Sequence, residues 1–451
     1  MKSLDPLRRH GLFDARVPRY TSYPPANHFQ NDFGQRHQTD WLRAVPQDKD
    51  VSVYVHIPFC KRLCWFCACR TQGTKTLRPV EAYVAVLLKE IETVRRTLPP
   101  GIRMARLHLG GGTPTILPCG TMAALLNALF AAFERSADFE FSVEIDPTEA
   151  SDELLHLLID AGMNRASVGV QDFAPPVQKA IGRRQSLSQT RHVIDLMRGQ
   201  GVASLNLDLL YGLPHQTFQS FEQTLRHVAR MRPDRLAIYG YAHVPWMSKR
   251  QIMIKTADLP DNETRFALAQ QAREAFVAEG YDSIGIDHFA LPSDSLSRAA
   301  TAGRLRRNFQ GYTDDQGEVL IGLGASAISR FPGGYIQNAT ATSAYQDRVT
   351  SGGLAAHKGY GMTAQDLLIA RIIEDLMCRF VYDEPSLRDR FPEQAALIHQ
   401  TGISLMTRFA DVFYISGTGL TMRAETRPLV RIIASHVDTF ASEATAHSAA
   451  V

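Results

Sequence analysis

From residue 51 onward the chain alternates short strand-like segments with helix-length ones, and this constrains the fold more than any other feature. Residues 51–57 are rich in β-branched side chains and stop at Pro58. Further short apolar runs cover 105–109, 139–145, 166–170, 204–210 and 235–241. Helical patterns lie between them at 80–98, 121–134, 151–162, 187–201 and 218–231. Strands separated by helices of this length specify βαβ units and a parallel sheet. Six such units predict an α/β fold built on a partial (β/α)6 barrel rather than an open sheet. In such barrels the chemistry sits at the C-terminal ends of the strands. The residues that follow each strand in turn are a cysteine cluster, Gly110-Gly111-Gly112-Thr113, Glu144, Gln171-Asp172, Asp208 and Ala242-His243. Every strand thus delivers glycine, polar or metal-binding residues at the same end, the pattern of one active-site mouth.

The sequence divides around this barrel into an N-terminal extension (1–48), a barrel core (49–260), a barrel-completing and active-site segment (261–355) and a C-terminal lid (356–451). The lid carries a long helical pattern over 361–380, a hairpin pattern over 413–422 and another helical pattern over 428–440. A small helical, winged-helix-like domain is expected there. That fold often binds DNA, but no basic cluster accompanies it, so it is expected to cover the barrel mouth. The chain has 49 Lys+Arg against 46 Asp+Glu, a formal charge of +3, which predicts no nucleic-acid partner. The longest near-continuous apolar run, Met122 to Phe133, is too short for a bilayer, and residues 1–10 have no apolar core of a secretory signal. A cytoplasmic monomer with no membrane partner is expected.

Four of the six cysteines fall between Cys60 and Cys69, with the spacing C-x3-C-x2-C over Cys60, Cys64 and Cys67. Bunched cysteines in a cytoplasmic chain hold metal more often than disulfides. Cys119 and Cys378 stand apart beside apolar sequence and are expected to be buried thiols. Three thiolates on a short loop can bind three irons of a [4Fe–4S] cubane and leave one iron open. C-x3-C-x2-C is the arrangement of radical S-adenosylmethionine enzymes, in which the methionine group chelates the open iron and one electron splits the sulfonium to a 5′-deoxyadenosyl radical. A zinc site would want a second cysteine pair after a longer gap, which is missing. A closed electron-transfer cluster would need Cys69, whose side chain points away from that of Cys67 in an extended loop. The Gly110–Gly112 run removes side chains where backbone can approach a ligand.

At these residues the chain resembles the oxygen-independent coproporphyrinogen III oxidases, the radical S-adenosylmethionine decarboxylases of haem biosynthesis. The strings that carry the resemblance include Arg19-Tyr20-Thr21-Ser22-Tyr23-Pro24, Tyr54-Val55-His56-Ile57-Pro58-Phe59-Cys60, Gly169-Val170-Gln171-Asp172-Phe173 and Asp208-Leu209-Leu210-Tyr211-Gly212-Leu213-Pro214. Asn308-Phe309-Gln310-Gly311-Tyr312-Thr313 and the run from Gly322 to Ser329 add to them. The resemblance implies that Cys60, Cys64 and Cys67 hold the cluster and that Cys69 does not. It implies that Tyr54, Gly111, Glu144 and Ile328 line a first S-adenosylmethionine. A second one is implied at Phe66, Gly112, Thr113, Gln171, Arg183, Asp208 and Ala242. Thr421 to Arg427 lacks a glycine expected from the family, so the lid differs there.

The substrate implied is coproporphyrinogen III, two of whose propionates become vinyls to give protoporphyrinogen IX, with an electron donor and an acceptor that the sequence does not identify. Its carboxylates call for guanidinium partners, with Arg16, Arg19, Arg306 and Arg307 as candidates. Two other functions fit the same cysteine loop: a haem-binding chaperone, and a radical enzyme acting on haem. Cys69, where the chaperone branch tends to carry an aromatic, and the Arg19–Pro24 string both favour the oxidase.

Overall fold

The computed structural model describes residues 4–417, 419–441 and 450–451. One twelve-stranded sheet organises it. Strands β1 (Asp50–Ile57), β2 (Arg103–Gly111), β3 (Glu134–Ile145), β4 (Arg165–Gln171), β5 (Ser204–Tyr211) and β6 (Arg235–Gly240) lie side by side in chain order and run parallel. Beyond β6 the sheet continues antiparallel through β7 (Asp282–Ile284) and β8 (His288–Ala290), with β8 next to β6. On the other flank β9 (Leu320–Leu323) pairs parallel with β1, followed by antiparallel β10 (Ile328–Phe331), β11 (Gly334–Asn338) and β12 (Ala356–Gly361). The edges β7 and β12 do not pair with each other, so the barrel is open.

The helices α1 (Arg78–Thr97), α2 (Cys119–Ala132), α3 (Asp152–Asp160), α4 (Leu187–Gly199) and α5 (Phe218–Met231) connect the six parallel strands. Side chains that accept orphan N–H groups start three of them: Ser151 caps α3, while Ser186 with Gln189 and Thr217 with Ser220 form capping boxes on α4 and α5. Strand periodicity then sorts the faces. Val51, Val53, Val55, Leu107, Leu109, Phe141 and Val143 are buried in the main core together with Leu87, Leu125 and Leu129 of the helices. The alternate residues face inward and are polar: Ser52, His108, Ser142, Glu144, Ser167, Asn206 and Asp208 line an interior cavity. A short hairpin (Arg306–Asn308 with Gly311–Thr313) adds Asn308, Tyr312 and Thr313 to the same cavity.

Strand β3 begins at Glu134, not at 139, because the polar stretch before Phe139 still pairs with β2 at Arg103 and Met104. The glycine-interrupted stretch after 318 is a strand followed by a close approach. At Gly324 (φ +95°) a Cβ would stand 2.4 Å from the Tyr83 hydroxyl and 2.6 Å from the His56 carbonyl. Cys378 is buried as expected, but Cys119 opens α2 and is only partly buried, because the first turn of a helix faces solvent on one side.

A second apolar core joins the two ends of the chain. Leu7, Leu12, Tyr20 and Tyr23 pack with helices α6 (Ala364–Arg379) and α7 (Val430–Val437). Hydrogen bonds tie the two ends: the Tyr20 hydroxyl donates to Asp438 (2.9 Å), and Arg431 donates to the carbonyl of Pro18 (3.0 Å). The hairpin strands Phe413–Ser416 and Gly419–Met422 pair with Val381–Tyr382 in a three-stranded sheet beside these helices.

Candidate active site

The cysteine loop leaves β1 at Ile57 and lies over the C-terminal end of β2. The Gly112 N–H donates to the Ile57 carbonyl (2.8 Å) and the Thr113 N–H to the Phe59 carbonyl (2.9 Å), which stitch the glycine turn to the loop. The three glycines are consumed by this packing. A Cβ on Gly110 would stand 2.8 Å from the Glu144 carboxylate, on Gly111 2.7 Å from the His56 ring and on Gly112 2.5 Å from the Phe59 carbonyl. Their first role is therefore to let β2, β3 and the cysteine loop converge, rather than to clear room for a ligand.

Burial raises the Cys60 thiol to about 11, and the neighbouring thiols of Cys67 and Cys64 push it the same way, while Thr113 and Thr71 hydrogen bonds oppose. Cys67 is lowered by its hydrogen bond with Cys69, whose own thiol is raised by that bond, so the two side chains meet instead of pointing apart as an extended loop would have them, because the loop turns back here and the Cys69 N–H also donates to the Cys67 sulfur (3.4 Å). Cys64 is buried, with the Arg183 guanidinium 3.7 Å from its sulfur. Cys60, Cys64, Cys67 and Cys69 thus interact electrostatically at the barrel mouth beside a buried cation, a donor set that suits an anionic iron–sulfur cluster. Among the described residues no three His, Cys, Asp or Glu side chains converge on one metal ion.

The other expected residues fall into two groups. Tyr54 and His108 are register partners on β1 and β2, with rings stacked 5.7 Å apart at 15°. The Tyr54 hydroxyl pairs with His56 Nδ1 at 2.9 Å. Glu144 accepts from the Gly111 N–H (3.1 Å) and stands 3.4 Å from His108 Nε2. Desolvation raises its carboxyl, but His108, the Gly111 N–H and His56 outweigh that and hold it below the usual range. Asp208 accepts from Ser167 (2.8 Å) and Asn206 (2.8 Å), and burial raises its carboxyl against those two bonds. Glu144 and Asp208 line the interior cavity with Tyr239 and His288. Ile328 opens β10, two strands from Tyr54, and its carbonyl approaches the site of a Cβ on Gly322, the register partner of Tyr54.

Phe66, Gln171, Arg183 and Ala242 stand outside that cavity, at the rim by the cysteine loop. Gln251 joins two of them, donating to the carbonyls of Phe66 (2.7 Å) and Ala242 (3.1 Å). Gln171 ends β4 with a left-handed backbone (φ +70°). Arg183 is paired with Asp146 at 3.0 Å and donates to the Gly169 carbonyl at 2.9 Å.

Sequence reasoning missed Asp146, Gln251, His108 and Asn206. The period-2 alternation of polar residues on β2 and β5 was the available signal for the last two; Asp146 and Gln251 act through long-range contacts that no local pattern announces. Of the candidate carboxylate partners, Arg306 is taken by Glu374 at 2.7 Å, and Arg16 lies 5.9 Å over the Trp246 ring. Arg307 donates to the carbonyls of Tyr20 and Arg19, while its Nη1 is buried with no hydrogen-bond partner.

Residues 54–228 match the model of the Radical SAM superfamily. The oxygen-independent coproporphyrinogen III oxidase of Paracoccus denitrificans is 49% identical over 100% of both chains. That of Escherichia coli is 37% identical over 94% of this chain and 93% of its own. The solved coproporphyrinogen III oxidase of Escherichia coli, a Radical SAM enzyme, superposes with a TM-score of 0.89 at 35% identity, covering 94% of this chain and 100% of that one. With full-length likeness at these identities, and a cysteine loop set on the mouth of an open six-unit barrel, the chain belongs to the oxygen-independent coproporphyrinogen III oxidases of the Radical SAM superfamily.

Proposed function

We propose that this chain converts two propionates of coproporphyrinogen III to vinyl groups, giving protoporphyrinogen IX, with Cys60, Cys64 and Cys67 holding a [4Fe–4S] cluster and Cys69 free of it. The observation that carries this is the juxtaposition of those thiols with the Tyr54, Gly111 and Glu144 edge of the barrel. When bound, the cluster and S-adenosylmethionine supply a carbon radical strong enough to take an unactivated β-hydrogen.

The protein's own residues position and exclude. The carboxylate of Glu144, held by the Gly111 N–H, offers an acceptor edge for the amino group of an amino-acid head, and Tyr54 with Ile328 supplies apolar walls. Glu144 stays ionised because His108 and the Gly111 N–H hold its carboxyl low, so it can accept from an ammonium or ribose hydroxyl. A second S-adenosylmethionine is proposed where the rim meets the interior cavity, between Phe66, Gly112, Thr113, Gln171, Arg183 and Ala242 on the rim side and Asp208 on the cavity side. There Asp208 offers a second carboxylate. Arg183, neutralised by Asp146, holds the loop more than it clamps a ligand. Arg307, with its buried unpartnered Nη1, and Arg19, which donates to the Gly240 carbonyl, are the proposed partners for substrate carboxylates. The N-terminal extension and the C-terminal lid share one core, which supports closure of the mouth by both together and exclusion of water and oxygen.

No helix among the described residues is long and apolar enough to cross a membrane. We take the enzyme to work as a cytoplasmic monomer without nucleic acid. The test is anaerobic: reconstitute the cluster, add S-adenosylmethionine, a reductant and coproporphyrinogen III, and measure CO2 and vinyl porphyrin. Stoichiometric haem binding without CO2 would make the chain a haem chaperone instead.

A further inference from the structure

The segment from residue 246 to 255 exposes apolar surface in a way no other part of the described molecule does. Trp246, Met247, Ile252 and Met253 are 53%, 68%, 68% and 58% exposed. No other stretch of eight described residues exposes more than two large apolar side chains. The segment is nevertheless firmly anchored. Gln251 is wholly buried and Ile254 nearly so, and the Gln251 amide oxygen accepts from the Val244 N–H at 2.6 Å. An anchored turn with its apolar side chains turned outward marks an interaction site.

Its anchor is the cysteine loop itself. The Ser248 hydroxyl donates to the Cys67 carbonyl (3.0 Å), Gln251 to the Phe66 carbonyl (2.7 Å), and Arg250 to the carbonyl of Thr71 (2.7 Å). Charge is sorted here too. From Cys60 to Val80 the chain carries five Lys or Arg and no Asp or Glu, and from Ala242 to Ala257 three and none, in a protein whose overall formal charge is only +3. Lys61 and Arg62 are paired with Glu149 and Asp146, whereas Arg70, Lys75, Lys249 and Lys255 are exposed and make no ion pair among the described residues. An apolar centre with a basic rim is the anatomy of a protein interface, with the rim steering a partner of opposite charge.

We propose that this surface docks an acidic protein that carries single electrons, and that the electron enters the cluster here, beside Cys67. The inference rests on the function proposed above. In the transfer one electron leaves the carrier and enters the cluster. No bond is made or broken and no proton moves. A small, charge-steered encounter of this kind buries little area and releases its partner quickly.

The reconstituted full chain is titrated with a purified acidic flavodoxin, with basic cytochrome c as the charge-mismatched control. Cluster bleaching is followed after mixing with reduced flavodoxin and, separately, with dithionite. Met247→Asp/Ile252→Asp and Lys249→Glu/Lys255→Glu change only exposed side chains. Each pair should weaken flavodoxin binding about tenfold or more and slow flavodoxin-driven bleaching in step, while bleaching by dithionite is unchanged. Raising the salt from about 0.05 to about 0.3 M should weaken the wild type more than the charge-reversed pair. Equal binding and bleaching in both variants overturns the proposal. So does a wild type that binds phosphatidylglycerol vesicles but neither flavodoxin nor the control, which would make the patch a membrane contact. Failure of dithionite to bleach the wild type would strike instead at the function on which the inference rests.

Discussion

The two ends of the barrel interior treat charge in opposite ways. At the N-terminal ends of the strands the carboxylates are paired with guanidiniums. Glu140 lies 2.7 Å from Arg106 and 3.2 Å from Arg165, Arg106 reaches Asp314 at 3.2 Å, and Arg235 meets Asp294 at 2.6 Å. The Arg235 and Asp294 side chains are 1% and 4% exposed, so that pair is sealed. At the C-terminal ends Glu144 and Asp208 have no arginine partner. Their bonds come from an imidazole, a backbone N–H, a hydroxyl and an amide. The Glu144 side chain is 43% exposed into the cavity. Paired charges close the floor of the barrel, and carboxylates without a guanidinium partner among the described residues line its mouth. The difference separates charge that holds the fold from charge kept available for a ligand.

The comparison can be broken most severely at the mouth. Cys64→Ala should abolish the visible absorbance of the reconstituted cluster and all vinyl porphyrin formation, with the far-UV dichroism intact, whereas Cys69→Ala should keep the absorbance. Colour lost only in the second variant would reverse the ligand assignment.

The floor should respond in stability instead. Arg235→Met leaves Asp294 buried without its cation and should cost about 3–5 kcal/mol in chemical denaturation, with turnover per folded molecule retained. A variant as stable as the wild type would show that the pair is dispensable.

A third buried carboxylate tests the role of burial alone. Glu90 of α1 accepts from the Gly324 N–H, Asn338 and Tyr345, each at 2.7 Å, and has no cation. Burial raises its carboxyl to about 7 against those bonds. A raised carboxyl favours the folded state when protonated, so this contribution is present below the ordinary value of 4.5 and is lost as pH rises through about 7. Its loss is worth about 3 kcal/mol. The thermal midpoint should fall between about pH 5 and 8 by this route, and Glu90→Gln should flatten that slope. An unchanged slope would place the titration elsewhere.

The smallest effect sharpens the contrast. Asp208 is raised by burial, so Asp208→Asn removes a charge that costs stability near neutral pH. The thermal midpoint should hold or rise, and turnover should fall by about tenfold, about 1.4 kcal/mol in barrier. A large loss of stability would show that Asp208 is structural like Glu140.

Much of this was legible in the residues. Short apolar and β-branched runs marked all six parallel strands, and helical periodicity marked the helices between them, because these signals are local. The C-x3-C-x2-C spacing identified the cysteine loop for the same reason. Ion pairs were not legible: Arg183 meets Asp146, and Arg306 meets Glu374, only because the chain returns to bring them together. The glycine turn was legible as a close approach, but what approaches it, His56 and the Phe59 carbonyl, was not.

The succession of strands and helices along the chain and the spacing of the clustered thiols were determined by the sequence alone, since each depends on spacing within one or two elements. The tertiary structure decided which charges are spent on one another and which stay open, and it brought the 246–255 segment onto the cysteine loop. Those outcomes depend on contacts between residues more than a hundred positions apart, such as Ser248 with Cys67 and Gln251 with Phe66, whose pairing only the folded topology sets.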